Sequence, residues 1–230
     1  METQEFAEHF PLFHNLNNET IEWLLSLVEE ENYEVEETII AQDDWGSGFH
    51  LIESGWVKVQ HFYAGQPVTI EIIGEGGFVG EVGILGQNNF NSQVVAISAV
   101  KVLTISAQRF IQVLFRDAQV QNRLLKLMVN RVTDYQKSFR FHHQATKVRL
   151  VTVLISLADQ YGKVTENGIE IYDFAVKDLA DLALISIEEC EQILEKLKNK
   201  NLIKFYHNHK CLMLTNIKQL HHIIGQLGNE

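Results

Sequence analysis

From Ser106 to His142 the chain runs without a proline or a glycine, and nothing else in the sequence constrains its fold as strongly. Within that stretch Ala118, Gln121, Leu125, Met128, Val132, Tyr135, Phe139 and His142 recur at alternating spacings of three and four, a seam of about three heptads. A helix of that length outruns a small domain. The stripe therefore predicts a dimer interface along Leu125, Met128, Val132, Tyr135 and Phe139. Packing of the same stripe on the chain's own core is the alternative.

The N-terminal side of this helix has the opposite character. Residues 20–31 read as a short amphipathic helix, with Ile21, Leu24, Leu25 and Val28 at helical spacing and Asn18 or Thr20 as cap. From Tyr33 to Ile105 short runs rich in Val, Ile, Phe and Thr are broken at Gly46–Gly48, Gly55, Gly65–Pro67 and Gly74–Gly77. Closely spaced strands with turn signals predict a small antiparallel barrel or roll, with a β-sandwich as the alternative. The C-terminal side is largely helical again. Thr146–Tyr161 is an amphipathic helix ended by Gly162, and residues 168–176 read as a strand leading into a helix. Lys177–Ala183 is a short helix, and Ser186–Lys200 is another, opened by a capping box of Ser186 and Glu189. Residues 201–216 then read as two strands around a polar turn at His207–Lys210. Helix, tight turn, helix and β-hairpin make a winged helix-turn-helix, an arrangement that binds nucleic acid. The fold class is α+β.

Charge divides along the same line. The chain carries a net charge of −11 over 230 residues, which as a whole disfavours nucleic acid. Residues 1–109 hold 3 Lys/Arg against 17 Asp/Glu, net −14, while residues 110–230 hold 16 against 13, net +3. An acidic module is joined to a mildly basic one. An apolar content of 46% with 21% charged residues is that of a globular protein rather than a disordered one. Met1 to Phe10 is acidic and lacks the basic and apolar regions of a secretion signal. Leu150–Ala158, the longest nearly apolar run, is far short of the roughly 20 residues a membrane span needs. These features predict a soluble, cytoplasmic chain with no membrane partner.

Three stretches of sequence resemble the Crp–Fnr family of bacterial transcription regulators. Phe49 to Val59 resembles the strand–Gly–strand signature of its β-roll, and Gly76 to Glu81 the start of its phosphate-binding cassette. Val176 to Leu194, followed by Lys198 to Ile203, resembles its helix-turn-helix. The resemblance spans roughly Phe10 to Ile217. It implies an N-terminal antiparallel β-roll (a double-stranded β-helix) over residues 1–109, a dimerisation helix over 110–142 and a winged helix-turn-helix over 143–230. It also implies a homodimer that binds double-stranded DNA, has no catalytic activity and needs no resident cofactor, with RNA polymerase or another regulatory protein as a further candidate partner.

The sequence departs from that family in two places. In relatives that bind cyclic nucleotides, a Glu near the cassette's start holds the ribose hydroxyl, and an Arg–Ser or Arg–Thr pair holds the cyclic phosphate. Gly80, Glu81 and Ser92 match this pattern, but the Arg position is Asn91. A hydrogen bond to a charged group contributes about 1.5–3 kcal/mol, so its loss weakens binding by roughly tenfold to more than a hundredfold. Tyr135, expected at the pocket's far wall, fills space that a purine needs. The expectation is an altered pocket of Gly80, Glu81, Asn91, Ser92 and Tyr135 that does not answer to cyclic AMP. The second departure is the recognition helix, where the family's Arg-rich start is replaced by Ile187-Glu188-Glu189-Cys190-Glu191-Gln192. Glu188 can accept from a cytosine amino group, Gln192 can pair with adenine, and Ile187 can touch a thymine methyl. Glu191 and Glu195 are expected on the side away from the groove. Residues 186–195 carry four Glu and no Lys or Arg. Residues 116–149, by contrast, hold 8 Lys/Arg against 2 Asp, net +6. The predicted DNA-contacting set is Arg140, Lys147, Arg149, Lys177, Ser186, Ile187, Glu188, Gln192, Lys204 and Lys210.

Other chemistry finds little support. Two cysteines, Cys190 and Cys211, are too few for a disulfide framework or a four-thiolate metal site. His142–His143 and His221–His222 are adjacent pairs that cannot face one site, and His207 with His209 makes a poor metal site. Nucleophile-elbow, P-loop and zincin motifs are absent. The alternative function is a family-derived protein-interaction module that has weakened or lost DNA binding.

Overall fold

The glycine-punctuated half of the chain folds into two four-stranded antiparallel sheets. Their strands are β1 (Glu29–Tyr33), β2 (Thr38–Ile40), β3 (Gly48–Ser54), β4 (Val57–Tyr63), β5 (Gln66–Ile73), β6 (Phe78–Val79), β7 (Ser92–Ala96) and β8 (Val100–Ser106). One sheet has the order β1-β8-β3-β6 and the other β2-β7-β4-β5. The structure is a computed structural model. It describes residues 2–86, 90–140, 143–206 and 210–225, with side chains for all of these except 137–140. The chain forms two units, Met1–Thr133 and Asp134–Glu230.

In the first unit the period-two alternation of the strands fills two cores. Ile52, Val57, Val59, Ile73, Val79, Val94, Ala96 and Val102 point between the sheets and close the roll. Phe49, Leu51, Leu103 and Ile105 point to the other face of the first sheet. There they are covered by helices α1 (Thr3–His9), α2 (Asn18–Leu25) and α4 (Ala107–Arg116) and by part of α5 (Ala118–Arg140). Phe49 stacks on Phe110 with ring centroids 3.8 Å apart, and Phe6 packs on Phe10 and Phe13 at 5.0 and 5.3 Å. A sheet buried on both faces reads as a nearly continuous apolar run, as β3 does.

Two expectations are corrected here. The helix read over 20–31 ends at Leu25, and Glu29–Tyr33 is instead strand β1. Its five residues pair with Val100–Thr104, and this long-range ladder overrides the helix propensity of the three glutamates. The cap of α2 is Asn17, whose Oδ1 accepts from the Thr20 backbone N–H at 2.7 Å. The helix read from Ser106 to His142 is two helices. Asp117 takes an extended conformation between α4 and α5, and its Oδ1 accepts from the Gln119 N–H at 2.7 Å, capping the second helix.

α5 has two faces. Val120, Leu124, Leu127 and Met128 pack on the chain's own core. Leu125, Val129, Val132 and Tyr135 are 64%, 55%, 53% and 46% exposed. Met128, expected in the outward seam, is thus turned inward, and Val129 takes its place on the outward stripe. The side chains of Phe139 and Arg140 and residue His142 lie outside the described residues.

The second unit builds α6 (Thr146–Tyr161), β9 (Lys163–Thr165), β10 (Gly168–Tyr172), α7 (Val176–Ala183), α8 (Ile187–Asn199), β11 (Ile203–Tyr206), β12 (Cys211–Leu214) and α9 (Ile217–Gly225). Its sheet has the order β11-β12-β10-β9. β11 and β12 form the antiparallel wing, with residues 207–209 of its turn, including His207 and His209, outside the described residues. The core of this unit is α6 with Val148, Leu150, Val151 and Leu154 buried, met by Leu179, Ala183, Cys190, Leu194 and Leu197. No helix among the described residues is long and apolar enough to cross a membrane.

Candidate functional site

The cassette begins where β6 turns into the short helix α3 (Glu81–Leu85). Gly80 makes that turn with φ +97°, and a Cβ there would lie 2.2 Å from the Gly48 carbonyl oxygen. Only glycine fits both the left-handed backbone and the close approach. The turn drives Glu81 inward until it is 2% exposed. Its Oε1 accepts from Arg131 Nη1 at 2.5 Å. Arg131, from α5, also places Nε 3.0 Å from Glu71 Oε1 on β5 and donates from Nη2 to the Phe78 carbonyl at 3.3 Å. Burial pushes the Glu81 carboxyl above the usual carboxylate range, Arg131 acts to lower it, and Glu71 adds to the rise. Arg131 is therefore the cationic partner of Glu81.

Asn91 is exposed, and both ends of its side-chain amide are engaged. Its Nδ2 donates to the Phe62 carbonyl at 2.7 Å, and its Oδ1 accepts from Gln42 Nε2 at 3.0 Å. Both ends of the amide hold loop against strand. Ser92 is buried, with its Oγ 3.0 Å from His61 Nδ1 and its carbonyl accepting from Trp45 Nε1 at 2.6 Å. Gly80, Glu81, Asn91 and Ser92 all lie in the first unit, and Tyr135 belongs to the second.

His50 supports the cassette from β3. A Cβ on Gly80 would lie 3.2 Å from its ring. Thr104 Oγ1 donates to Glu31 Oε2 at 2.5 Å, which uses its one hydrogen. The 3.0 Å contact between His50 Nδ1 and Thr104 Oγ1 therefore makes Nδ1 the donor. Burial lowers the His50 pKa from 6.5 against the opposing charges of Glu31 and Asp44. The folded state thus binds this proton less readily than the unfolded chain. The stability tied to neutral His50 is complete above the unfolded value and is lost as pH falls through the folded one. Denaturant unfolding between about pH 7 and about pH 5 is expected to show a steeper loss for the wild type than for His50→Gln. Parallel curves for the two proteins would contradict this.

In the second unit the helix-turn-helix is held by two devices. Ser186 Oγ accepts from the Glu189 N–H, and Glu189 Oε2 accepts from the Ser186 N–H, each at 3.2 Å. The turn places Leu184 at φ +54°, and its carbonyl accepts from Arg149 Nη1 at 2.7 Å. Arg149 is thus committed to the turn between α7 and α8. Lys177 pairs with Asp181 at 2.9 Å. Lys147 has a lowered pKa because it is partly buried and lies near Lys200, so the start of α6 and the end of α8 share positive charge. Lys204 and Lys210 are exposed on the wing. On α8, Cys190, Ile193, Leu194 and Leu197 are buried, while Ile187, Glu188, Glu191, Gln192 and Glu195 are exposed. Helical spacing places Glu188, Glu191, Gln192 and Glu195 on one face. Glu191 and Glu195 therefore share an exposed face with Glu188 and Gln192. Burial and Glu191 push the Cys190 thiol up to about 11, so it is not a reactive thiolate. Among the described residues no group of three His, Cys, Asp or Glu could hold a metal ion.

Residues 30–117 match the model of the cyclic nucleotide-binding domain. The chain is similar to the cyclic AMP receptor protein of Thermus thermophilus, 23% identical over 84% of this chain and 88% of that protein. Its structure superposes on that of a CooA variant from Carboxydothermus hydrogenoformans with a TM-score of 0.72 at 14% identity, covering 97% of this chain and 96% of the other. The chain shares the fold of that structure. The cyclic GMP-dependent protein kinase egl-4 of Caenorhabditis elegans is also similar, 26% identical over 82% of this chain, but the match spans only 26% of the kinase. The matched domain stops at Asp117, the residue that caps α5. Arg131 lies beyond that boundary, and sequence reasoning read it only as one charge in a basic stretch. Its pairing with residues 50 and 60 positions earlier left no local signal.

Proposed function

We propose that this chain is a homodimeric, non-catalytic DNA-binding transcription regulator whose roll answers to something other than cyclic AMP, or to no ligand. In this reading residues 1–109 sense, residues 110–142 dimerise and residues 143–230 read DNA in the cytoplasm. The observation that carries it is the capped, exposed Ile187–Gln192 face of α8, set in a helix-turn-helix and followed by a β-hairpin wing. In a major groove, Ser186 sits at phosphate, Ile187 meets a thymine methyl, Glu188 accepts from cytosine and Gln192 pairs with adenine. Lys147, Lys204 and Lys210 supply backbone contacts, joined by Arg140. Arg149 and Lys177 act through the turn and α7, which they brace.

Two features support independence from cyclic AMP. Asn91 offers no cation and has both amide ends engaged, and Arg131 is held between two carboxylates. No large rise in melting temperature is expected on adding cyclic AMP. A shift of several degrees at low micromolar nucleotide would overturn this part of the reading.

The acidic stripe of Glu188, Glu191 and Glu195 favours a second reading, in which the dimer acts by contact with RNA polymerase or another regulatory protein and has weakened or lost DNA binding. A mobility shift on the protein's own upstream region separates the two. A discrete, saturable complex sustains the regulator. Retardation no stronger than on random duplex sustains the interaction module.

A further inference from the structure

Helix α7 ends on Leu184 in the left-handed region, at φ +54° and ψ +46°. The Leu184 N–H donates to the Asp181 carbonyl at 3.1 Å, and the next N–H, of Ile185, donates to the Ala180 carbonyl at 3.0 Å. Helices close this way on glycine far more often than on leucine, because a Cβ crowds the following carbonyl oxygen there. Glycine would take this backbone without strain. Packing does not account for the leucine, which is 56% exposed. Arg149 holds the strained residue in place, with Nη1 donating to its carbonyl at 2.7 Å. A neutral carbonyl leaves the guanidinium charge uncompensated, and among the described residues no carboxylate lies within ion-pair distance of Arg149. Ile187, which opens α8 three residues on, is 44% exposed. The turn thus presents two apolar side chains together with an uncompensated cation.

Strain maintained at an exposed position points to a use of the side chain itself. The surface that pairs apolar groups with dense negative charge is the major groove, where thymine shows its C5-methyl group on a polyanion. The start of the second helix of a helix-turn-helix is the part that meets base edges, and Leu184 lies in the turn leading into it. We propose that Leu184 is a second thymine-reading residue, contacting a C5-methyl group next to the one that Ile187 meets. This rests on the DNA-reading function proposed above and extends it to a residue outside the recognition helix. Arg149 is a positioning residue, fixing the turn and adding positive charge beside it. Contact with an uncharged methyl group is a mode of reading that Glu188, Glu191 and Glu195 do not oppose.

A uracil scan tests this on the full chain. The protein is titrated against its own upstream region with each thymine replaced singly by deoxyuridine, which removes only the methyl group. The wild type is expected to lose about fourfold in affinity at each of two thymines per half-site, the effect of one buried methyl group. Leu184→Gly should bind the unmodified duplex at least about fourfold more weakly, respond at only one of the two thymines, and melt at or above the wild-type temperature. Leu184→Asn, which also accepts the left-handed backbone, should give the same scan. Ile187→Ala should respond only at the other thymine. A lower melting temperature for Leu184→Gly than for the wild type would mean that the side chain is kept for packing, and overturns the proposal. So does a wild-type uracil profile in Leu184→Gly and Leu184→Asn, which would leave the DNA-reading function standing and assign Leu184 to a protein contact instead. If the wild type binds the upstream region no better than random duplex, the DNA-reading function falls and this proposal falls with it.

Discussion

Glutamate at both Val129 and Val132 is expected to leave the protein monomeric and to weaken its binding to a two-half-site operator by about 10²–10⁴-fold. The wild-type helix offers Leu125, Val129 and Val132, each more than half exposed, on the face opposite the one that packs on the roll. Fully burying one such side chain contributes about 1.5–3 kcal/mol, so three of them from each protomer are enough to drive association. In a two-fold dimer each residue faces its own copy or a near neighbour. Four glutamates would then be forced together in an apolar seam, where like charges and lost hydration both oppose contact. The inward face, with Val120, Leu124 and Leu127, is untouched, so the folded roll should persist. Sedimentation velocity on wild type and variant decides the matter. Identical masses for the two proteins would mean that this stripe is not the interface.

The second large effect is expected at Gly80. Alanine there is expected to cost about 2–5 kcal/mol of stability, combining left-handed backbone strain of about 1–2 kcal/mol with overpacking of about 1–3 kcal/mol. The overlap is with the Gly48 carbonyl oxygen at 2.2 Å, a backbone atom that cannot swing aside as a flexible side chain would. Gly80 also aims the first residue of α3, so any relaxation that does occur should move Glu81 away from Arg131. Denaturant unfolding measures the loss. A change under about 0.5 kcal/mol, the range of an innocuous surface substitution, would contradict the account of the turn.

Features with local causes were legible in the sequence, and features fixed by distant partners were not. The helix Thr146–Tyr161 with its Gly162 stop, and the Ser186–Glu189 capping box, were readable because the residues that determine them lie within one or two turns. The break at Asp117 had a local signal too, an Asp two residues before its N–H partner, but the absence of proline and glycine masked it. β1 was misread because Glu29–Glu31 is a helix-favouring run whose strand state exists only through pairing with Val102–Thr104. The cassette was found from its glycines, yet its electrostatics depend on Arg131 reaching back 50 positions to Glu81. Basic charge alone likewise could not tell Lys147, near Lys200, from Arg149, which is spent on the Leu184 carbonyl. The exposed stripe of α5 was legible in period but not in phase. A strict alternation of three and four chose Met128, whereas the roll's need to cover Leu124 and Leu127 turned Met128 inward and left Val129 outside.

The central claim, that the winged helix-turn-helix reads DNA despite its acidic recognition helix, is tested most directly by fluorescence anisotropy. The protein would be titrated against its own upstream region and against random duplex of equal length across a salt series. We expect a saturable complex on the upstream region at physiological salt, at least about 10³-fold tighter than on random duplex. Few lysines are placed to reach phosphate, so the log–log salt slope should be shallow, with each phosphate contact adding about −0.9. Equal affinity for the two duplexes at every salt concentration would contradict the claim.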